Sequence, residues 1–218
     1  GDSAMTTKAE AGPTDQRGGA GPGPKPAWLK KRLPSPSAMA GMDRLLRSHR
    51  LHTVCEGAAC PNRGECFACG TATFLILGDV CTRDCRFCAI PGGRTAPLDP
   101  DEPKRVAEVA VSLGLAHVVI TRDDLPDGGA SHFAATIREV RRVLPGATVE
   151  VLVPDFGGSE AALDTVLSEE PEVLNHNVET IPRLYGSVRP QADFERSIAL
   201  LTRAAGRQVV VKSGFMLG

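Results

Sequence analysis

The sequence predicts an α/β protein, a partial (β/α)6 TIM-like barrel preceded by an N-terminal extension. Short apolar, β-branched runs recur from residue 71 onward, segments with helical spacing separate them, and no glycine-rich phosphate fingerprint follows the first run. Strands alternating with helices at this spacing read as βαβ units around a parallel sheet. The missing fingerprint favours a barrel over a dinucleotide-binding fold.

The elements follow in order. Residues 1–25 are rich in Gly, Pro, Ala and Thr without apolar periodicity and are expected to be disordered. Residues 26–70 form the extension, which opens on a short segment anchored by the only tryptophan, Trp28, and continues into "MDRLLRSHRLHTV" (42–54), expected to be a helix. Residues 71–218 form the partial barrel. Its first strand is "TATFLILG" (71–78), an apolar run of buried-strand length. Val106, Val109, Ala110 and Leu113 then share a helical face within 101–114, before "AHVVIT" (116–121). Phe133, Ile137, Val140 and Leu144 mark a helix over 131–144, before "ATVEVLVP" (147–154). A helix around Leu163, Val166 and Leu167 leads to "EVLNHN" (172–177), and one with Phe194, Ile198, Leu201 and Ala205 leads to "RQVVVKSG" (207–214). In such barrels the chemistry sits at the C-terminal ends of the strands.

Composition narrows the class. The chain is 42% hydrophobic and 23% charged with a net charge of -1, which argues against a basic nucleic-acid-binding face. No apolar run approaches the roughly 18 residues a membrane span needs, and no signal-peptide core opens the sequence. A cytoplasmic protein with reduced thiols is therefore expected. There, clustered cysteines read as metal ligands before disulfides.

Six of the seven cysteines fall in two triplets, "CEGAACPNRGEC" (55–66) and "CTRDCRFC" (81–88). Structural zinc wants a closed set of four ligands. Three thiolates in one short loop instead hold three corners of a cubane iron–sulfur cluster and leave one iron open to a ligand.

The C-x3-C-x2-C spacing, with Phe87 before its last cysteine and an apolar strand before it, resembles the radical S-adenosylmethionine superfamily. That resemblance implies a barrel of the radical S-adenosylmethionine type and a [4Fe–4S] cluster on the candidate catalytic residues Cys81, Cys85 and Cys88. The open iron would chelate S-adenosylmethionine, and one-electron reduction would release a 5′-deoxyadenosyl radical. The other triplet, running directly into the first strand, resembles the lipoyl synthase family. So do "RDDLPDGGA" (122–130), "LVPDFGG" (152–158), "LNHNVET" (174–180), "VRPQADFERSIALL" (188–201) and "KSGFMLG" (212–218). The family implies a second, auxiliary [4Fe–4S] cluster on Cys55, Cys60 and Cys66, sacrificed to place sulfur at C6 and C8 of a protein-bound octanoyl chain. An unactivated methylene has no useful acidity, so a radical reaches it where acid–base catalysis cannot.

Implied partners are octanoylated lipoyl domains of 2-oxoacid dehydrogenase acyltransferase subunits, the H protein of glycine cleavage, a ferredoxin or flavodoxin donor, and an iron–sulfur carrier for cluster repair. No nucleic acid or membrane is expected.

Other residues carry weaker signals. Arg122, Asp123, Asp124 and Asp127 follow the second barrel strand, where Pro, Asp and Gly alone indicate a turn. The resemblance makes Asp123 a candidate S-adenosylmethionine contact. It also implies about three further residues, Ser-Val-Asp, between Thr121 and Arg122, whose loss would displace this loop. Asn175, Asn177 and Glu179 end the fourth strand; alone they read as caps, and the resemblance makes Asn175 and Glu179 cofactor contacts. Lys212 is a candidate contact to substrate or cofactor, or a solvated strand-end lysine. Cys69 reads as a bystander. "WLKKRLP" reads as solvated surface, or as a basic patch for an acidic carrier domain.

In the family the auxiliary cluster takes a serine from a later Arg-Ser-Ser-Tyr stretch, which these residues do not include. An open barrel edge, a labile auxiliary cluster and weak or no turnover are expected for the 218 residues alone. Rival readings are another radical enzyme with an auxiliary cluster, an inactive fragment, an electron-transfer iron–sulfur protein and a zinc module.

Overall fold

Side-chain alternation along the strands sorts the sheet into two faces, and this sorting positions the site. The computed structural model describes residues 36–94, 97–122 and 127–217. The expected tail, the Trp28 segment, Asp123 and Asp124 lie outside the described residues.

The chain opens with α1 (Pro36–Ser48), β1 (His52–Thr53), α2 (Val54–Gly57) and α3 (Arg63–Ala68). The repeats follow as β2 (Thr71–Leu75), α4 (Glu102–Ser112), β3 (His117–Thr121), α5 (Ala130–Val143), β4 (Thr148–Leu152), α6 (Glu160–Leu167) and β5 (Val173–Asn175). A short α7 (Tyr185–Val188), α8 (Phe194–Ala205) and β6 (Val210–Lys212) complete it. The six strands lie in sequence order, β1 antiparallel to β2 and all others parallel. Five parallel strands linked through helices make an α/β partial barrel. β6 is an edge among the described residues, with Val210 64% exposed.

One face of the sheet is apolar throughout. Ala72, Phe74, Ile76, Val118, Ile120, Val149, Val151 and Leu174 join one core with Val106, Val109, Phe133, Ile137, Val140, Leu163, Val166 and Leu200 of the helices. Because successive side chains point to opposite faces, Thr73, Leu75, His117, Thr121, Glu150, Leu152, Asn175 and Lys212 turn to the other side. Parallel register lines up Leu75, Thr121, Leu152, Asn175 and Lys212 across the strand ends. Those ends carry the site. Side-chain caps fix the starts of α6 and α8: Ser159 accepts from the Ala162 N–H and Asp193 from the Arg196 N–H.

The helix expected over 42–54 is displaced. It runs from Pro36 to Ser48 and ends in a turn at Arg50, whose φ is +51°. His52 and Thr53 then pair with Leu75 and Phe74 as β1. Pairing to the sheet edge outweighs the helical spacing there.

Candidate active site

The thiols of 81–88 sit in a loop that begins where β2 ends. Leu77 adopts φ +67°, and its N–H donates to buried Glu102 at 2.7 Å. His132 pairs with the same carboxylate oxygen at 2.8 Å, and Arg122 donates to the Gly78 carbonyl at 3.2 Å. These bonds, from α4, α5 and the end of β3, turn the chain out of the sheet. Cys81 then forms an isolated parallel bridge with Gly92 at the far end of the loop. The Arg83 N–H donates to Cys81 Sγ at 3.4 Å, and the Cys88 N–H to the Cys85 carbonyl.

Arg83 reaches Asp155, after β4, at 3.1 Å; Asp155 also accepts from the Gly157 N–H and pairs with Arg196. Burial alone would raise the Asp155 carboxyl pKa, but the Gly157 N–H and the two guanidinium groups hold it below its ordinary value.

Cys81, Cys85 and Cys88 line a cavity of about 190 Å³. Val54, Leu75, Ile90, Leu152 and Val153 supply its apolar walls, and Arg122, Asn177, Glu179 and Arg189 its polar ones. The mouth lies at the C-terminal strand ends, as such barrels require.

The segment of the second triplet meets the same space through Val54. β1 lays α2 against β2, so Cys55 is buried and hydrogen-bonds Thr73 on the inward face. The Thr53 hydroxyl caps α2 by accepting from the Glu56 N–H. Between Cys60 and Cys66, Arg63 pairs with Asp43 of α1 and lies 5.5 Å over the Phe67 ring. Burial raises the Cys55 thiol pKa most, with a further rise from Cys60. Burial likewise raises Cys66, helped by Cys55 and Cys60. The three thiols therefore lie within one another's fields. Gly57 packs directly on the other cysteine segment, since a Cβ there would stand 2.7 Å from Ile90 Cδ1. Val54 and Ile90, one beside each triplet, both line the cavity.

The remaining expected residues divide. Glu179 and Asn177 line the cavity; Asn175 and Lys212 are absent from its lining and bind Glu150 instead. Glu150 Oε1 accepts from Lys212 Nζ at 2.9 Å and from Asn175 Nδ2 at 3.2 Å, while His117 Nε2 lies 3.2 Å from Oε2. Four strands are thus joined through one carboxylate. Burial pushes its pKa up, but His117, Lys212 and Asn175 outweigh that and bring it from 4.5 down to about 2. A lone acidic residue in the apolar run "TVEVLV" was the signal for Glu150.

A depressed carboxylate pKa stabilises the fold above its unfolded value, and that stability is lost as pH falls from about 4.5 towards 2. Allowing for the half-exposed Lys212, the contribution is roughly 1–3 kcal/mol. Urea denaturation of Glu150→Gln should therefore show lower stability at pH 7 and a flatter pH dependence below pH 5. An unchanged profile would remove the network from the stability of the sheet.

His176, 1% exposed, keeps its pKa low through burial. Its Nδ1 donates to the Val153 carbonyl at 2.8 Å and its Nε2 pairs with Ser197 at 2.9 Å, tying α8 to the sheet. Cys69 is exposed beside Cys66.

The thiol set of 81–88 fits an iron–sulfur cubane. Among the described residues, no three His, Cys, Asp or Glu gather closely enough to hold one metal ion. A tetrahedral zinc ion would need its sulfurs about 4 Å apart, whereas a cubane accepts corner thiolates farther apart. Three soft thiols, Cys81, Cys85 and Cys88, lining one cavity beside the apolar Val54, Leu75 and Ile90 suit the cubane. All seven cysteines are thiols. No helix among the described residues is long and apolar enough to cross a membrane.

Comparison with known proteins agrees with this geometry. The profile of the radical SAM superfamily matches residues 75–218. A lipoyl synthase of Caldanaerobacter subterraneus is 57% identical over 199 residues, covering 89% of this chain and 69% of that protein. One of Chlorobaculum parvum is 53% identical over 203 residues, covering 91% and 70%. The chain thus spans about 70% of the length of these relatives. The crystal structure of methylornithine synthase superposes with a TM-score of 0.51 at 19% identity, over 85% of this chain and 53% of that one, a likeness of fold. With more than half its residues shared along nine-tenths of its length, the chain belongs to the lipoyl synthase family of the radical S-adenosylmethionine superfamily.

Proposed function

We propose that the protein is a sulfurtransferase that inserts two sulfur atoms, at C6 and C8, into an octanoyl group carried on a protein, completing the lipoyl group. The observation that carries this reading is that Cys81, Cys85 and Cys88 line one cavity of mixed apolar and charged walls, against which the 55–66 segment packs through Val54 and Gly57. When bound, one [4Fe–4S] cluster supplies the electron that splits S-adenosylmethionine into methionine and a hydrogen-abstracting radical, and a second supplies sulfide.

Cys81, Cys85 and Cys88 hold the first cluster; Cys55, Cys60 and Cys66 hold the second. Val54, Leu75, Ile90 and Leu152 offer an apolar wall to an acyl chain and exclude water from a reactive carbon centre. Glu179 and Arg189 offer opposite charges to the zwitterionic and hydroxyl-bearing parts of the cofactor. Glu150 keeps Lys212 and Asn175 in place at the strand ends. The domain division into a tail over 1–25, an auxiliary-cluster extension over 26–70 and a barrel over 71–218 belongs to the same reading. So do a cytoplasmic location with reduced thiols, a ferredoxin or flavodoxin donor, an iron–sulfur carrier, and lipoyl domains or the H protein of glycine cleavage as substrates.

Glu179 adopts φ +62°, a backbone state that a non-glycine residue holds only when its surroundings impose it. Its N–H donates to the Gly214 carbonyl at 3.0 Å, and its carbonyl accepts from the Met216 N–H at 2.8 Å. A Cβ on Gly214 would stand 2.5 Å from Asn177 Oδ1. Gly214→Ala should therefore displace Asn177 and weaken S-adenosylmethionine binding about tenfold, a 1.4 kcal/mol loss, with little change in the denaturation midpoint. Calorimetric titration checks this.

The reading itself is tested by incubating the anaerobically reconstituted protein with an octanoylated lipoyl domain, S-adenosylmethionine and a low-potential reductant. Mass spectrometry should find the octanoyl group bearing two sulfurs. Consumption of S-adenosylmethionine with no sulfur on the carrier, in protein shown by iron content to hold both clusters, would reject the assignment.

A further inference from the structure

The loop between the three thiols of 81–88 is held by one segment about a hundred residues downstream. The Asp84 N–H donates to Gln191 Oε1 at 2.7 Å, and Gln191 Nε2 donates to the Thr82 carbonyl at 3.2 Å. The Gln191 side chain thus reads the loop backbone on both sides of Arg83, as a neighbouring strand would. Arg83 Nη1 returns a bond to the Gln191 carbonyl at 2.9 Å, and the Arg86 N–H donates to the Val188 carbonyl at 3.0 Å.

The same segment grips the loop after β5 with its other side. Arg189 Nη1 donates to the Asn177 carbonyl at 2.8 Å, and Tyr185 Oη to the Val178 carbonyl at 2.8 Å. The Arg189 guanidinium lies 5.5 Å over the Tyr185 ring, which fixes the two grips relative to each other.

We infer that residues 185–191 form a strap that sets the distance between the 81–88 loop and the Asn177–Glu179 loop, with Gln191 as its positioning residue. This rests on reading those loops as the cluster and cofactor sites. Gln191 is exposed, so its bonds add little to global stability, and their effect falls on local order. A cofactor that touches an iron on one side and protein side chains on the other is sensitive to this spacing, because displacements near 1 Å already cost binding and rate.

The first test needs no iron. In the 218-residue chain, Gln191→Ala should speed amide exchange at Asp84 about fivefold or more, the effect of losing one net hydrogen bond, and leave Val118 and Ile120 unchanged. Gln191→Glu keeps an acceptor for Asp84 but loses the donor to Thr82, and should fall between. The second test uses reconstituted protein. Gln191→Ala should keep its iron content but weaken S-adenosylmethionine binding about fivefold, followed through the change that the ligand causes in the cluster's electron paramagnetic resonance spectrum. Unchanged exchange at Asp84 would overturn the strap. Faster exchange with unchanged cofactor affinity would overturn its coupling role. Failure of the unsubstituted protein to take up iron at 81–88 would instead overturn the reading of the site, while the exchange measurement still decides whether Gln191 orders the loop.

Discussion

Replacing Cys81, Cys85 and Cys88 with alanine should abolish reductive cleavage of S-adenosylmethionine, to the level of a protein-free control. The effect is the largest expected for any substitution outside the core. A cluster held at three corners owes its retention to all three thiolates, and its open iron owes its ligand to the cluster. The three residues line one cavity, and Cys81 is additionally oriented by the Arg83 N–H. Cys69, exposed and outside both triplets, is the control, and Cys69→Ala should retain cleavage within about twofold, as neutral surface changes do. The readout is 5′-deoxyadenosine after anaerobic incubation with a strong reductant. Persistent cleavage in the triple variant would assign the radical chemistry elsewhere.

Replacing Cys55, Cys60 and Cys66 separates two steps that the first substitution removes together. Deoxyadenosine should still form, because the 81–88 loop takes its supports from Glu102, Asp155 and residues 188–191 rather than from the extension. Sulfur insertion should stop, since no sulfide source faces the cavity. The link between segments is packing of Gly57 on Ile90, so cleavage should fall severalfold at most, within the ordinary effect of a displaced packing contact. Measuring deoxyadenosine and modified carrier in one reaction distinguishes the cases. Loss of both would mean that the triplets form a single structural unit, and retention of both would place the sulfur source outside Cys55, Cys60 and Cys66.

The parallel strands were legible because their outward side chains are uniformly apolar. Ala72, Phe74, Ile76, Val118, Ile120, Val149 and Val151 all enter one core, so the pattern needs no tertiary information. The helices carrying Phe133 and Ile137, and Leu163 and Val166, show their buried faces at helical spacing for the same reason. β1, α2 and α3 were illegible. Two to six residues carry no period, and β1 exists because Thr53 and His52 meet the free edge of β2. That edge lies outside the segment's own sequence.

The candidate site divides along the same line. Cysteine spacing announces ligands without any fold; Cys81, Cys85 and Cys88 line the cavity, while the 55–66 segment meets it through Val54. Spacing could not show that Asn175 and Lys212 serve Glu150, because the register joining Asn175 to Lys212 is a property of the sheet. Nor could it show the bonds from Gln191, which lies 107 positions from Asp84. Side chains that bind metal are read from type and spacing. Side chains that hold a loop are read only from where the backbone brings them.

Counting iron and sulfide per chain after anaerobic reconstitution tests most directly whether two clusters stand on the two triplets. Two cubanes predict about eight irons and eight sulfides, with about four of each lost when either triplet is replaced by alanine. About four irons, lost only with Cys81, Cys85 and Cys88, would contradict the auxiliary site. Zinc in place of iron would contradict both.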